Sequence, residues 1–428
     1  MERSHVTYLI IGGGPAAAHA AEAIRMSDGE GSILIVGREV TRPYARNELA
    51  GAYLRREKSR HDLSLRGPSW YVHEKIQLRS GQRVVLIDTA RKFVSLDTGA
   101  EIAFDKLLIA TGATARPLAL PGASMSNVYH LRSVEDFDRL LNAIVGPMTD
   151  DRSKSEMRTP PSRTRVCVIG SGPLGTEVAA SLRVLGAKIE LVCGGAHPWP
   201  EIVGPTLGAI IHQSLSKQGV NIHQGVRAMS LQGDGRVQRV VLSDQSAVEC
   251  DHVVACVGVD VSRELLRSTP IAAERGILAD EFGRTSVRDV FAAGDCCAMF
   301  DPRFAKHRLT QHWAQAVYAG GIVGANMAAS VVGGDMKPVS QLIGYVSQLD
   351  PRTSIHLQSW GEARLIDYRI VRGAGNDTAE IGADLNGRCV HVSVIGRADE
   401  HAVLKSLVES RAPLTTIAER LKNPDIPL

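Results

Sequence analysis

Two stretches of similar sequence decide the fold: Tyr8-Leu-Ile-Ile-Gly12-Gly-Gly14-Pro-Ala-Ala17 and Val166-Cys-Val-Ile-Gly170-Ser-Gly172-Pro-Leu-Gly175. Each has a hydrophobic run typical of a buried strand, then closely spaced glycines, then a small-residue segment typical of a helix. One glycine permits a tight turn, another lets the backbone approach a pyrophosphate, and a small third residue packs the helix onto the strand. The N–H groups at the helix start then face the phosphates. The two junctions predict two bound dinucleotides and electron transfer between them.

Two later segments support this prediction. Thr285-Ser-Val-Arg-Asp-Val-Phe-Ala-Ala-Gly294-Asp295 is a predicted buried strand that runs into Gly-Asp, and Phe104-Asp-Lys-Leu-Leu-Ile-Ala110-Thr111-Gly112 is a strand that ends in a small-residue turn. The Asp295 carboxylate can accept hydrogen bonds from a polyol such as the ribityl chain of FAD. Each segment alone could be an ordinary strand-to-turn junction, but four such features in this order argue against coincidence.

The bulk composition excludes several classes of protein. The chain has 428 residues, 44% of them hydrophobic and 22% charged, with 41 glycines and a net charge of +3. This length suits two or three domains, and the small charge gives no reason to expect nucleic acid as a partner. We find no apolar stretch that suggests a membrane span and no signal peptide before the first strand, so we expect a cytoplasmic protein with no membrane partner.

The seven cysteines, at positions 167, 193, 250, 256, 296, 297 and 389, include no Cys-x-x-Cys pair. Adjacent cysteines bridge only with strain, so Cys296 and Cys297 are predicted to be buried thiols rather than a redox disulfide. Electrons are therefore expected to leave a flavin directly. No cysteine–histidine cluster has metal-ligand spacing, and no metal is predicted.

The sequence resembles the FAD reductases with two dinucleotide-binding domains, above all the ferredoxin and rubredoxin reductases of oxygenase systems and their relative, apoptosis-inducing factor. The resemblance rests on Arg42-Pro-Tyr-Ala-Arg46, Val128-Tyr-His-Leu-Arg132-Ser, Gln311-His-Trp313-Ala-Gln and the run from 343 to 413, and it spans nearly the whole chain. It implies the pyridine nucleotide-disulfide oxidoreductase fold without the redox disulfide.

We therefore expect an α/β fold with two Rossmann-like domains and a small carboxy-terminal α+β domain. The FAD-binding domain is discontinuous, at 1–121 and 251–335, around an NAD(P)H-binding domain at 122–250; the last domain covers 336–428. The polar stretch 146–164 is predicted to be a loop.

The resemblance and the motifs together assign an FAD site. Arg46 and Arg132 match family arginines that contact the flavin or its pyrophosphate, and Glu39 alone would bind the adenosine ribose because Arg38 replaces the other acid of the family pattern. The predicted residues of this site are Gly12, Gly14, Pro15, Ala16, Glu39, Arg46, Val84, Ala110, Thr111, Gly112, Arg132, Gly294, Asp295 and Trp313.

A second set of residues is predicted to bind the nicotinamide nucleotide. It comprises Gly170, Gly172, Pro173, Leu174, Gly175, Glu177, Cys193 and Gly258. The strand that ends at Cys193 has neither the acid of an NAD site nor a clear basic group, His197 being the nearest cation. NADH and NADPH therefore both stay open, with a preference for NADH from the resemblance.

Glu177 and Trp313 are the predicted catalytic residues. The resemblance places Glu177 at the contact of flavin and nicotinamide, whereas the simpler interpretation is an acid that complements the helix dipole. It places Trp313 against the flavin, and the alternative is a tryptophan buried in the core.

The chain departs from the resembling family at two places. Glu48-Leu49-Ala50-Gly51 replaces a Pro-Leu-Ser-Lys motif whose lysine reaches the flavin, and Val346-Ser347-Gln348 replaces Trp-Ser-Asp. Loss of the cation is expected to lower the flavin potential or slow hydride transfer.

The resemblance implies an NAD(P)H reductase that passes single electrons from FAD to a ferredoxin-type carrier of an oxygenase or cytochrome P450. Basic residues between Arg38 and Arg66 would dock an acidic carrier, or would be only a solvated surface. A redox-sensing flavoprotein like apoptosis-inducing factor and a biosynthetic flavoenzyme are the alternatives, and a homodimer is possible.

Overall fold

The computed structural model describes residues 3–146, 164–341, 344–350 and 355–428. The chain forms two compact units. The first comprises residues 1–46, 60–114 and 259–343, and the second comprises 47–59, 115–258 and 344–428. Most of the predicted polar loop, from 147 to 163, lies outside the described residues.

The helices and strands follow in chain order. Those up to residue 145 are β1 (Arg3–Ile11), α1 (Pro15–Ser27), β2 (Ile33–Gly37), α2 (Pro68–His73), β3 (Ile76–Ser80), β4 (Val84–Asp88), β5 (Phe93–Leu96), β6 (Glu101–Ile109), β7 (Thr114–Ala115), β8 (Val128–His130) and α3 (Val134–Val145). Those from 165 to 279 are β9 (Arg165–Ile169), α4 (Pro173–Val184), β10 (Lys188–Cys193), α5 (Pro205–Lys217), β11 (Val220–Gln224), β12 (Ala228–Gln232), β13 (Arg239–Leu242), β14 (Ala247–Glu249), β15 (His252–Ala255), β16 (Val259–Asp260) and β17 (Ile277–Ala279). The remainder are β18 (Val290–Ala292), β19 (Cys297–Asp301), β20 (Lys306–Leu309), α6 (Trp313–Val332), β21 (Tyr345–Asp350), β22 (Ile355–Gly361), β23 (Tyr368–Ala374), β24 (Asp377–Ala383), β25 (Cys389–Ile395), α7 (His401–Glu409) and α8 (Ala418–Lys422).

The first unit is built on a sheet with the strand order β3-β2-β1-β6-β5-β4, to which β18 adds beside β6. Strand β1 lies between β2 and β6 and is parallel to both. All five residues of β2 are buried, as expected for a parallel strand covered on both faces. The first glycine stretch thus joins the central strand to α1, and the predicted α/β class is confirmed.

Helix α6 packs closely on α1 in the first unit. A Cβ added at Gly320 would lie 2.4 Å from the Ala16 carbonyl oxygen, and one at Gly324 would lie 2.4 Å from that of Ala20. Our expectation that no apolar stretch reaches membrane-spanning length was wrong, since this helix has 20 residues and a mean hydropathy of 1.2. Its alanines and glycines conceal that length in the sequence, and half of the helix is buried in the protein.

The second unit contains a parallel sheet with the strand order β11-β10-β9-β15-β8. Strand β15 pairs with β9, with His252 opposite Val166, so the second glycine stretch again follows a central strand. The predicted boundary assigns 252–257 to the returning FAD domain. The structure instead returns to the first unit at Val259, because β15 completes the second sheet.

Residues 47–59 belong to the second unit, which the sequence does not indicate. Here the Ser181 hydroxyl of α4 donates to the Ala50 carbonyl at 2.6 Å, and the Tyr53 hydroxyl donates to Asp138 of α3. These contacts anchor the segment to two helices of the unit that follow it by more than 80 residues.

The carboxy-terminal residues form an antiparallel sheet with the order β21-β22-β25-β24-β23, accompanied by α7 and α8. The alternation of apolar and polar residues predicts strands at 354–359, 366–371, 380–385 and 389–395, which correspond to β22, β23, β24 and β25, whereas β21 was not predicted. Glu380 of β24 accepts hydrogen bonds from the backbone N–H groups of Gly204, Thr206 and Leu207, at 2.5, 2.9 and 3.2 Å. This buried carboxylate satisfies the N–H groups at the start of α5 and holds the sheet against that helix.

Candidate functional site

The first glycine junction brings the end of β6 against the turn that follows β1. Gly12 has a φ of +127°, and a Cβ there would lie 2.1 Å from the Ala110 carbonyl oxygen, so only glycine fits. Gly14 caps α1, Pro15 opens it, and no protein atom lies within 4 Å of a Cβ added at Gly14. The space above the helix start is therefore open to a ligand.

The Gly-Asp turn reaches the same helix start. Gly294 has a φ of +77°, and a Cβ there would lie 3.0 Å from the Cβ of Ala16. Thr111 is exposed beside Gly112, which has a φ of +70°. The structure therefore brings together the glycine stretch, the turn after β6 and the Gly294–Asp295 turn, which the sequence places far apart.

Glu39, predicted to bind a ribose, lies just after β2 and is partly buried. Its carboxylate accepts hydrogen bonds from the Tyr44 hydroxyl and from the Arg46 guanidinium, both at 2.7 Å. Arg46 also interacts electrostatically with Asp295. Because the Arg46 guanidinium interacts with both carboxylates, it can orient Glu39 and Asp295 toward the hydroxyl groups of a cofactor.

Two other predicted residues of the first unit lie in different surroundings. The Val84 side chain is buried in the hydrophobic core, so only its backbone could contact a ligand. Trp313 begins α6 and is only partly buried, which disfavours the interpretation as a core tryptophan.

The second glycine junction repeats the first. Gly170 has a φ of +109°, and a Cβ there would lie 2.3 Å from the Cys256 carbonyl oxygen. A Cβ at Gly175 would lie 1.9 Å from the Gly170 carbonyl oxygen, whereas one at Gly172 would meet no atom within 4 Å. Pro173 opens α4, and Leu174 beside it is partly exposed. Both junctions therefore combine a crowded first glycine with open space at the helix start.

Glu177 is the fifth residue of α4, just beyond its first turn, and its carboxylate accepts a hydrogen bond from the Ser347 hydroxyl of β21. Burial raises the pKa of this carboxyl to about 7, although the Ser347 hydrogen bond and the charge of Arg55 oppose the shift. A carboxyl with this pKa changes its protonation near neutral pH, which a surface acid that only complements the helix dipole does not do.

The remaining predicted residues of the second unit differ in accessibility. Cys193 is fully buried, and its sulfur accepts a hydrogen bond from the Ser171 hydroxyl at 3.0 Å, so any nucleotide contact would come from its backbone. Gly258 is exposed, with a φ of +100°. Arg132 precedes α3, where its backbone N–H donates to Asp136 at 2.9 Å.

Sequence reasoning missed Trp199 and Arg116, and it assigned Arg55 only to the basic segment between Arg38 and Arg66. Trp199 is fully buried and its indole N–H donates to the Thr176 hydroxyl at 2.9 Å, which supports the first turn of α4. The Arg116 backbone N–H donates to the Gly258 carbonyl at 2.9 Å. A Cβ at Gly51 would lie 3.6 Å from the Arg55 guanidinium, so a cation lies beside the position of the family lysine. No local motif marks any of them.

Several of the basic residues between Arg38 and Arg66 form ion pairs with acidic residues of their own unit. In the first unit Arg46 pairs with Glu39 and Arg66 pairs with Glu22; in the second, Arg55 pairs with Glu57. Lys58 pairs with Glu48 at 3.3 Å. Arg38, Arg42, Arg60 and His61 of the first unit are exposed.

All seven cysteines are thiols, and six of them are buried, including Cys296 and Cys297. Burial raises the pKa of the Cys250 thiol to about 12. Within the described residues, no group of three or more histidine, cysteine, aspartate or glutamate side chains is arranged to hold a metal ion.

Comparison with known sequences decides the family. The pattern of the pyridine nucleotide-disulphide oxidoreductases matches residues 6–320, which include both glycine junctions and the Gly294–Asp295 turn. The chain belongs to this family of oxidoreductases. Family membership agrees with the resemblance and implies FAD and a pyridine nucleotide as its cofactors.

Within this family, the chain is similar to several ferredoxin reductases. The ferredoxin–NAD(+) reductase component of the biphenyl dioxygenase system of Paraburkholderia xenovorans is 32% identical over 292 residues, 68% of this chain and 67% of the relative. The corresponding component of the p-cumate 2,3-dioxygenase system of Pseudomonas putida is 29% identical over 98% of this chain and 97% of its own. Among solved structures, the ferredoxin reductase for the CYP199A2 system from Rhodopseudomonas palustris is 28% identical, covers 92% of both chains and superposes with a TM-score of 0.82.

Proposed function

We propose that this protein is an FAD-containing NAD(P)H reductase that delivers single electrons to a ferredoxin-type carrier of an oxygenase or cytochrome P450 system. One observation carries the proposal: the chain holds two glycine junctions of the same geometry, each with a crowded first glycine and an open helix start. A protein with two such junctions in this oxidoreductase family is equipped to bind two dinucleotides. Its relatives named as ferredoxin–NAD(+) reductase components support the choice of acceptor.

The first junction fits FAD. The open space at Gly14 and the N–H groups that begin α1 would receive the pyrophosphate, and Arg46 would add a cation. Glu39 would accept hydrogen bonds from ribose hydroxyls, and Asp295 would accept them from the ribityl chain. When bound, FAD supplies the exchange between two-electron hydride transfer from NAD(P)H and one-electron transfer to a carrier.

In the second junction Gly172 and the start of α4 would receive the pyrophosphate of NAD(P)H, and Gly258 would lie beside its nicotinamide. Glu177 would orient that ring through its carboxyl and, with a pKa of about 7, hold or release a proton at Oε2, the oxygen that does not accept from Ser347. Trp313 would shield the flavin from water and line the route by which electrons leave.

The electron acceptor is proposed to be an acidic protein. The exposed basic side chains of Arg38, Arg42, Arg60 and His61 would attract it by long-range electrostatics. We also propose a cytoplasmic location, which suits seven cysteines that are all thiols, and a possible homodimer.

Anaerobic mixing of the flavin-loaded protein with NADH or NADPH tests the proposal. Rapid bleaching of the visible flavin absorbance, followed by cytochrome c reduction that requires an added ferredoxin and weakens in salt, is the expected result. A protein that binds no flavin, or whose reduced flavin ignores every ferredoxin offered, would contradict it.

Gly51 stands where the family has a lysine, and the nearby Arg55 guanidinium is paired with Glu57, which favours a second candidate, a redox sensor with slow flavin reduction. Slow bleaching with a long-lived charge-transfer band and no ferredoxin-dependent turnover would support the sensor. Rapid carrier-independent oxygen uptake with a small molecule would instead indicate a biosynthetic flavoenzyme.

A further inference from the structure

In a strand–helix–strand nucleotide site, the residue at the carboxyl end of the second strand distinguishes NAD from NADP. Here that second strand is β10. An acid there binds the ribose hydroxyls of NAD, whereas a basic group accommodates the 2′-phosphate of NADP. In this chain β10 ends at Cys193, whose side chain is fully buried, and Gly194 beyond it is exposed. The inference that follows rests on the proposed function of this junction as a nucleotide site.

A basic side chain lies against this end of the strand. A Cβ added at Gly194 would lie 3.3 Å from Cγ and 3.8 Å from Nε of Arg227, so the arginine crosses directly beside the glycine. The backbone fixes this placement, because the Gly225 N–H donates to the carbonyls of Cys193 at 2.8 Å and of Gly195 at 3.2 Å. These main-chain bonds, two residues before Arg227, hold the strand end and the backbone that carries Arg227 together.

The Arg227 guanidinium is exposed, and it forms no hydrogen bond or ion pair with any residue that the structure describes. Only its backbone N–H is engaged, with the Ser243 hydroxyl at 3.1 Å. An arginine with an uncommitted planar fork can bind a phosphate through two parallel hydrogen bonds.

No carboxylate of the residues that the structure describes pairs with this arginine. The chain from Cys193 to Pro200 contains no acid, and the acids on either side already have partners. Glu190 accepts from Asn221 and contacts His223, both at 2.7 Å, and Glu201 lies 3.4 Å from Arg364. His197, the cation nearest in sequence, does not serve here, because its ring packs against Gly208 of α5.

We propose that the end of β10 is a 2′-phosphate subsite in which Arg227 is the specificity-determining residue, so that this protein binds NADP(H) in preference to NAD(H). The buried Cys193 leaves the ribose of NAD without its usual acid. The exposed Gly194 leaves room for a phosphate beside the guanidinium. The proposal therefore replaces the preference for NADH, which came from the resemblance, with a preference for NADPH because of Arg227.

Calorimetric titration of the flavin-loaded protein with two fragments tests this subsite without catalysis. The probes are adenosine 2′,5′-bisphosphate and adenosine 5′-monophosphate, which differ only in the 2′-phosphate. We expect the bisphosphate to bind roughly tenfold more tightly, as one charge-assisted contact at an exposed site provides. Arg227→Gln should abolish this ratio and leave binding of the monophosphate unchanged. Arg239→Gln, which removes another exposed arginine of the same unit, is the matched control and should keep the ratio.

Gly194→Asp supplies an independent second variant. The nearest atoms to its Cβ would be those of the flexible Arg227 side chain, with the Val226 carbonyl oxygen at an ordinary contact distance of 3.9 Å. Its carboxylate should repel the 2′-phosphate and make the monophosphate the tighter ligand. Equal affinities of the two probes for the wild-type protein, or a ratio that survives Arg227→Gln, would overturn the inference. If neither probe binds and neither nucleotide bleaches the flavin, the proposed function itself fails, which is a separate outcome.

Discussion

At the scale of single residues, the two kinds of glycine in each junction have different physical roles. Gly12 and Gly170 have positive φ values, and a Cβ added at either would lie within 2.3 Å of a carbonyl oxygen, so they are required by the fold. Gly14 and Gly172 have ordinary φ values and open surroundings, so the fold does not require glycine there, and we propose that a bound cofactor does. Substitution can therefore separate folding from cofactor binding.

We predict that Gly14→Ala folds with a free energy of unfolding within about 0.5 kcal/mol of wild type but purifies with less FAD. Its methyl group would occupy the open space at the start of α1. Gly12→Ala should lose both stability and FAD because of its φ of +127° and the Ala110 carbonyl. Urea unfolding of the apoprotein and the flavin-to-protein absorbance ratio measure the two effects. Full FAD content in Gly14→Ala would show that the open space beside Gly14 does not receive the FAD pyrophosphate.

Glu177 makes stability depend on pH in a defined window. Its pKa is 4.5 in an exposed environment and about 7 in the fold, so the unfolded chain ionises first as the pH rises. Stability should therefore fall between pH 4.5 and 7. Glu177→Gln does not titrate, and its stability relative to wild type should rise across this window by up to about 3 kcal/mol.

Urea unfolding at half-unit pH intervals measures this difference. Ser347→Ala is the informative control: it removes the hydrogen bond that lowers the Glu177 pKa, so the window should extend above pH 7. Parallel pH profiles for wild type and Glu177→Gln would show that the carboxyl is not desolvated.

At the scale of elements, the contact of α6 with α1 depends on glycines that bring the two backbones together. The Gly320 position lies against the Ala16 backbone, and Gly324 lies against that of Ala20, one turn further along. Because α1 begins at the first glycine junction, this packing also positions the helix start that would face the pyrophosphate of FAD.

Gly320→Ala is predicted to destabilise the protein by about 1–3 kcal/mol, because its methyl group overlaps a rigid backbone. Gly321→Ala is a matched control on the next residue of the same helix, where no atom lies within 4 Å of the added Cβ. This control should be neutral or more stable by about 0.5–1 kcal/mol, through helix propensity. Thermal unfolding compares the two, and equal midpoints would show that α6 shifts without cost.

At the scale of the whole molecule, a buried carboxylate joins parts of the chain that lie 173–176 residues apart. Glu380 of the carboxy-terminal sheet accepts hydrogen bonds from three backbone N–H groups at the start of α5, the helix that follows β10. These residues belong to one compact unit, so the sheet and the helix are expected to unfold together.

Glu380→Ala should leave these N–H groups buried without an acceptor and lower the free energy of unfolding by about 3 kcal/mol. Glu409→Ala, at an exposed ion pair of α7, should change it by less than about 0.5 kcal/mol. Urea unfolding followed by tryptophan fluorescence measures both variants. A single transition of unchanged midpoint in Glu380→Ala would contradict the proposed role of this carboxylate.

Local residue order was enough to predict the α/β class, the two glycine junctions, the strands on which they lie and the family, because these depend on the spacing of hydrophobic and small residues. The same reasoning placed the return to the first unit too early and missed the membership of residues 47–59, since both depend on which strand or helix a segment packs against. The surroundings of Glu177, the buried direction of Cys193 and the position of Arg227 beside Gly194 came from the folded chain alone. The burial and charge pairing of a side chain depend on residues distant along the chain. A local sequence motif therefore cannot show how buried or how well paired that side chain is.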